Sequence, residues 1–173
     1  MNVLVAVASK HGATREIADV LGRAIGEALD EAGTPAEVEV LFAETAVDPA
    51  EYDAVVLGSA VYIGHWLETA ARFVDRHAAV LRAMPVWLFS SGPVGEPLRP
   101  AEATEFTARL LADTGAVEHR VFGGKIDRGV LRFAERALVK ALRVKDGDYR
   151  DWHAISAWGR EIGLALAKTS SQA

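Results

Sequence analysis

Six consecutive residues, Ser9-Lys10-His11-Gly12-Ala13-Thr14, bring together two hydroxyls, an amine, an imidazole and a glycine with no acid among them. They join an apolar run, Val3 to Ala8, to a helical pattern that begins near Thr14. A helix N-terminus offers unpaired N–H groups and a partial positive charge, so a loop of this kind suits an anion. Ser9 and Thr14 can each add a hydroxyl donor to a phosphate. The same residues also read as an ordinary helix start with Thr14 as its cap. The loop matches neither Gly-x-x-x-x-Gly-Lys-Ser/Thr nor Gly-x-Gly-x-x-Gly. A nucleoside triphosphatase and a simple NAD-binding domain lose ground accordingly. One short hydroxyl loop suits a single terminal phosphate better than a pyrophosphate.

Two further stretches follow apolar runs. Gly58-Ser59-Ala60-Val61-Tyr62-Ile63-Gly64-His65-Trp66 starts with small residues that would let a flat ligand approach the backbone, and carries two rings able to stack. Of these, Tyr62 is the better ligand face, and Trp66 reads as a staple onto the helix that follows. Ser90-Ser91-Gly92-Pro93-Val94-Gly95 offers N–H groups to ligand carbonyls, although alone it reads as a turn. The histidines add little. His65 and Glu68 stand three apart without a third ligand, and His77, His119 and His153 are isolated, so surface or capping roles are the default and no metal site is expected. Asp148 and Asp151 precede the last helical pattern and read as N-caps.

The elements that must hold these stretches alternate. Val3 to Val7 is a β-branched run without polar alternation, as in a parallel strand buried on both faces. A helix is expected from about Thr14 to Ala32, a strand over 37–41, a strand over 54–58 and a helix over 67–82. A strand over 85–89, a helix over 101–114, a strand over 117–122 and a last helix over 152–168 complete the pattern. Strands alternating with helices indicate an α/β fold with a parallel sheet. Such sheets bind ligands at the carboxyl ends of their strands, where all three stretches fall. Residues 123–150 are too long for a plain connection, and long connections are often functional.

Composition bounds the rest. The chain has 173 residues, half of them hydrophobic and a quarter charged, which fits one globular domain over 1–173. With no cysteine, disulfides, iron–sulfur clusters, thiolate zinc sites and cysteine nucleophiles are excluded. The net charge of −5 is unevenly spread: residues 125–145 hold seven Lys and Arg against Asp127 and Glu135, a local +5 that leaves −10 for the remainder. Within 130–143, Arg132, Arg136, Lys140 and Arg143 form one helical stripe beside an apolar face. This segment is a candidate for peripheral contact with an anionic membrane surface, for holding substrate carboxylates, for meeting the acidic body of a second subunit in a homodimer, or for a plain solvated face. Nucleic acid is not expected. No segment reads as a leader or a membrane span, so a cytoplasmic location is expected, with possible residence at the inner face of the membrane.

Ser9 to Thr14 resembles the Ser/Thr-x-Thr-Gly-x-Thr phosphate loop of flavodoxins, placed directly after the first strand. Phe122-Gly123-Gly124-Lys125-Ile126-Asp127, the basic stretch and Gly147-Asp148-Tyr149-Arg150-Asp151-Trp152 resemble the branch of that family containing menaquinone-dependent protoporphyrinogen oxidase. The resemblance implies a flavodoxin-like, doubly wound, five-stranded parallel sheet of order 2-1-3-4-5 that binds FMN, with an inserted basic segment over about 123–150. It implies a phosphate site at Ser9, Lys10, His11, Gly12, Ala13 and Thr14, a ring cover at Ala60, Val61, Tyr62, Ile63 and Gly64, and an outer edge at Ser91 and Gly92. Two departures stand out. His11 occupies a position usually held by Thr, and the third loop has no second aromatic, which would leave one flavin face open to a substrate. The expected function is that of an FMN-dependent oxidoreductase, by resemblance one that dehydrogenates a porphyrinogen-like substrate with a quinone as acceptor. The alternatives are a flavodoxin-type electron carrier without its own substrate and a flavin-free interaction module. No catalytic acid or base is assigned.

Overall fold

Val3 to Val7 can form a strand without polar alternation only if both faces are covered. In the computed structural model, which describes residues 1–45, 48–62, 64–92, 105–127, 129, 136 and 145–171, this run lies within β1 (Asn2–Ala8), and Val3 to Ala8 are all buried. The chain continues through α1 (Ala13–Glu31), β2 (Glu37–Phe42), a single 3-10 turn (Pro49–Glu51), β3 (Ala54–Tyr62) and β4 (His65–Trp66). There follow α2 (Glu68–Leu81), β5 (Val86–Ser91), α3 (Glu105–Thr114), β6 (Glu118–Phe122), β7 (Lys125–Ile126), β8 (Gly147–Asp148) and α4 (Trp152–Ser170).

The main sheet runs β2-β1-β3-β5-β6, and every pair along that path is parallel. Counted as parallel strands in chain order this is 2-1-3-4-5, as the resemblance implies. Alternation along β1 divides the core. Val3, Val5 and Val7 face a cluster that includes Ile17, Leu21 and Ile25 of α1 and Ile155, Trp158 and Ile162 of α4. Leu4, Ala6 and Ala8 face Ala70, Phe73 and Val74 of α2 and Leu110 of α3. Burial of such side chains contributes roughly 1.5–3 kcal/mol each. Among the described residues no helix is long and apolar enough to cross a membrane.

Two strands run further than their hydrophobic patterns indicate. The pattern ends the third strand at Gly58, yet β3 continues to Tyr62. Ser59 and Ala60 pair with Ser90 and Ser91, and Val61 and Tyr62 turn back onto Trp66 and His65 of β4. Ala60, Val61 and Tyr62 are therefore strand residues rather than loop residues. Their extended backbone is fixed by pairing with β5 at Ala60 and with β4 at Val61 and Tyr62, which small and polar side chains do not advertise. Gly58 is a second correction. Its missing side chain does not leave room for a ligand, because an added Cβ would lie 2.0 Å from Cζ of Phe89. Phe89 is its register partner on β5, and its ring fills that space from inside the core.

The long connection before α4 begins and ends as one ribbon. β7 and β8 pair antiparallel, Lys125 with Asp148 and Ile126 with Gly147. Tyr149 N–H donates to Gly124 O at 3.0 Å. Gly123 lies so close to this return strand that an added Cβ would come within 2.0 Å of Tyr149 O. The Gly-Gly-Lys-Ile-Asp and Asp-Tyr-Arg-Asp-Trp stretches are thus one unit. The basic stripe over 130–143 lies outside the described residues except for Arg136.

The packing of Phe89 over Gly58 has a measurable consequence. Gly58→Ala should lower the unfolding free energy by about 1–3 kcal/mol, the usual cost of overpacking. In a Phe89→Leu background the added loss should be much smaller, because the ring that clashes is gone. Urea denaturation of the four proteins in this double-mutant cycle checks it.

Candidate functional site

β1 ends at Ala8 and the chain must turn into α1 within four residues. Gly12 makes this possible at the N-cap position with φ +86°, a backbone conformation that other residues adopt at a cost. The Ser9 hydroxyl accepts the Gly12 N–H at 3.1 Å and closes the turn. Among the described residues its own O–H has no acceptor. The first bond of the helix runs from Glu16 N–H to Gly12 O at 3.0 Å. The N–H groups of Ala13, Thr14 and Arg15 precede it and have no place in the helical ladder. Thr14 is not the cap that the sequence allowed. It stands in the first helical turn, 3% exposed, and no side chain caps α1. Among the described residues the Thr14 hydroxyl makes no hydrogen bond, and no buried side-chain oxygen is left without a partner, so this hydroxyl meets solvent at the loop.

The second and third stretches are gathered at the same edge. The parallel register places Ala8 beside Ser59 and Ala60 beside Ser91. Lys10 reaches across so that its Nζ lies 5.2 Å from the centre of the Tyr62 ring, a cation–π contact between the first loop and the second. Gly64 turns the hairpin at φ +77°. Gly92 stands directly against β3, where an added Cβ would be 3.2 Å from Val61 O. Ser9, Lys10, His11, Gly12, Ala13, Thr14, Ala60, Val61, Tyr62, Gly64, Ser91 and Gly92 are thus carried by three adjacent strand ends. Ile63 lies outside the described residues, as do Pro93 to Gly95.

Trp66 is a staple, as its sequence position indicated. It is 6% exposed, and its Nε1–H donates to Ser90 Oγ at 2.8 Å. Ser90 Oγ is in turn 2.8 Å from His119 Nε2. Burial holds the His119 imidazole below its ordinary pKa, so its neutral form can accept the Ser90 proton. His119 is therefore part of a half-buried chain joining β4, β5 and β6, and not the surface or capping residue that its isolation in sequence suggested. The strand pairing that assembles this chain has no local signature. Ser59 works similarly, accepting Leu67 N–H at 3.0 Å at the start of α2.

Asp148 also departs from expectation. Asp151 caps α4, accepting Ala154 N–H at 2.9 Å, but Asp148 is engaged by Arg150. Nε and Nη2 of Arg150 fork onto the two Asp148 oxygens at 2.7 and 2.6 Å. Hydrogen bonding from Arg150 holds the Asp148 carboxyl below its usual range, with Lys125 adding to the effect. The Arg150 side chain is 2% exposed and its Nη1 extends to α1, 2.9 Å from Glu16 Oε2 and 3.0 Å from Ala13 O. The Asp-Tyr-Arg-Asp-Trp stretch contains Arg150, but the sequence alone implies no role for it. Its contact with Ala13 spans 137 positions, which no spacing rule captures. Among the described residues no group of His, Asp and Glu side chains could hold a metal ion.

A family model described as "Flavodoxin domain" matches residues 4–152. Among curated proteins, the protoporphyrinogen IX dehydrogenase [quinone] of Escherichia coli K12 is 26% identical over 175 residues, with 94% of each chain covered. Among solved structures, oxidised flavodoxin 1 from Bacillus cereus superposes with a TM-score of 0.61 at 18% identity, covering 94% of this chain and 97% of its own. The two-electron reduced flavodoxin of Megasphaera elsdenii gives a TM-score of 0.59 at 18% identity, covering 96% and 98%. At such identities these structures establish likeness of fold.

The half-buried chain at His119 predicts a pH dependence. Unfolded, the imidazole titrates near 6.5, and folded it titrates lower. In that window the unfolded chain binds more protons, so stability is full above about pH 6.5 and declines as pH falls toward the folded value. His119→Gln, which keeps an acceptor for Ser90, should flatten that decline. Urea titrations of both proteins at a series of pH values between 8 and about 5.5 measure the difference.

Proposed function

The chain belongs to the flavodoxin-domain family, and from that premise we propose that it is an FMN-dependent oxidoreductase. The family match and the quinone-linked relative support a flavin-dependent redox role. The observation that carries the finer reading is the solvent-facing hydroxyl of Thr14 in the first turn of α1, beside N–H groups that no helical bond uses. A phosphate monoester carries enough acceptor oxygens to engage these donors together. Ser9 adds the proton it does not spend on Gly12, and Lys10 and His11 supply further donors. These residues fit the group. Ala60, Val61, Tyr62 and Gly64, with Ile63 by the resemblance, would cover the ring system, and Ser91 and Gly92 would meet its outer edge. Gly92 suits that place because β3 already crowds its α-carbon.

When bound, FMN supplies hydride or single-electron chemistry, and the protein's part is to bind, orient and tune it. The substrate class we favour is a porphyrinogen-like compound, dehydrogenated with a quinone as electron acceptor. Two facts support it: the relative that carries this activity in its name matches across 94% of the chain, and Ser90 to Gly95 contains no aromatic residue to seal the second ring face. A flavodoxin-type carrier would need no substrate at that face.

Two outcomes are expected. Thr14→Val should weaken FMN binding about tenfold to a hundredfold, the range for losing a hydrogen bond to a charged group. Its unfolding free energy without FMN should be almost unchanged, since among the described residues the hydroxyl has no hydrogen-bond partner to lose. Flavin fluorescence titration and urea denaturation read the two effects. With FMN bound, the protein should oxidise protoporphyrinogen at a rate that rises with added menaquinone. Flavin-dependent electron transfer to redox proteins without porphyrinogen turnover would assign it as a carrier.

A further inference from the structure

Resting on the phosphate-site reading above, one residue outside the three loops bears on it. Arg150 comes from the return strand of the β7–β8 ribbon, far along the chain from α1. Its guanidinium is almost fully enclosed and spends its donors in two directions. Nε and Nη2 take Asp148, within its own ribbon. Nη1 takes Ala13 O and Glu16 Oε2, both in the first turn of α1. The Trp152 ring closes the remaining face, 4.3 Å from Cζ.

Glu16 raises an electrostatic difficulty that this contact resolves. An acid in the first turn complements the helix dipole, and for the same reason it competes with any external anion for that field. A phosphate monoester carries between one and two negative charges near neutral pH. An unpaired Glu16 one turn away would repel it. The Arg150 guanidinium compensates that charge from behind the loop, leaving the unused N–H groups and hydroxyls in front. By holding Ala13 O it also fixes the peptide that begins the helix. Asp148, half of the ribbon's closing pair with Lys125, anchors the guanidinium in place.

We propose that Arg150 is a positioning residue for the phosphate site: it fixes the first turn of α1 and compensates Glu16, so that the site prefers a phosphorylated flavin over the same flavin without phosphate. It acts through Ala13 and Glu16 and needs no contact with the ligand. Riboflavin shares the ring and lacks the phosphate, so it separates this role from a general effect on folding.

The test uses the full chain, stripped of flavin, and fluorescence titration with FMN and with riboflavin. Arg150→Met should weaken FMN binding tenfold or more while riboflavin binding changes less than threefold. Adding Glu16→Gln to Arg150→Met should recover most of the FMN affinity, because the uncompensated charge is removed. Arg150→Lys keeps the cation but not the fork, and should lose at least threefold for FMN alone. Should Arg150→Met fail to fold, the Lys variant carries the same comparison. Equal losses for both ligands, an unchanged FMN affinity, or no recovery with Glu16→Gln would overturn the assignment. A wild-type chain that binds FMN no more tightly than riboflavin would overturn the phosphate-site reading and the role of Arg150 together. A wild-type preference for FMN with an indifferent Arg150 overturns the latter alone.

Discussion

Parallel pairing of β1, β3 and β5 is the constraint from which the site follows. Parallel neighbours cannot be joined by a tight turn, so each connection must cross over the sheet and every chain exit falls at one edge. The register then decides which exits meet. Ala8 lies beside Ser59, and Ala60 beside Ser91, so the first loop, the β3–β4 hairpin and Gly92 share one rim. The closeness of β3 and β5 at that rim has a packing basis below it. Phe89 crosses the α-carbon of Gly58, where a Cβ would find no space. Above it, Ser90 ties Trp66 to His119. The supports of the rim are buried, and the N–H groups at the start of α1 are not spent on them.

Much of this was legible in the sequence. Val3 to Val7 announces a strand covered on both faces, and the spacing of Ile17, Leu21, Ala24, Ile25 and Ala28 announces the helix behind it. Together with the alternation of elements they give the fold class, and the loop residues give the edge where chemistry belongs. What stayed hidden depends on partners distant in the chain. Gly58 reads as permissive for a ligand until Phe89 is placed across from it. Ser59 to Tyr62 read as loop because small and polar residues carry little β signal, although pairing with β1, β5 and β4 in turn keeps them extended. His119 is unremarkable until Ser90 and Trp66 converge on it. Asp148 resembles a cap because carboxylates before a helix usually are caps. Only the folded ribbon shows that a neighbouring arginine has first claim on it.

The charge distribution acquires a structural meaning. A net charge of −5 with a +5 segment over 125–145 suggests two regions with a border between them. The ribbon shows that the border is a junction. Lys125 pairs in register with Asp148, Asp148 holds Arg150, and Arg150 holds Glu16 and Ala13 of α1. Alternating charges thus run from the root of the basic segment to the helix that begins the phosphate loop. Surface ion pairs contribute little, but Arg150 is enclosed. Removing one partner of such a cluster leaves others uncompensated, which is the expensive way to break it.

This junction limits how the connection before α4 can be understood. A segment added to a flavodoxin-like sheet for an independent purpose would need only a permissive surface turn at its root. Here both ends of the segment are closed into one ribbon, Gly123 is packed under the Tyr149 carbonyl, and the ribbon's arginine is committed to α1 before α4 has begun. Asp151 caps α4 immediately afterwards, so the last helix, the ribbon and the first helix meet within a few residues. The ribbon at the root of the segment is therefore bonded to the peptide of Ala13. The same peptide opens the helix whose N–H groups would hold the phosphate. Whatever the basic segment touches, its root is bonded to the turn on which cofactor binding is proposed to depend.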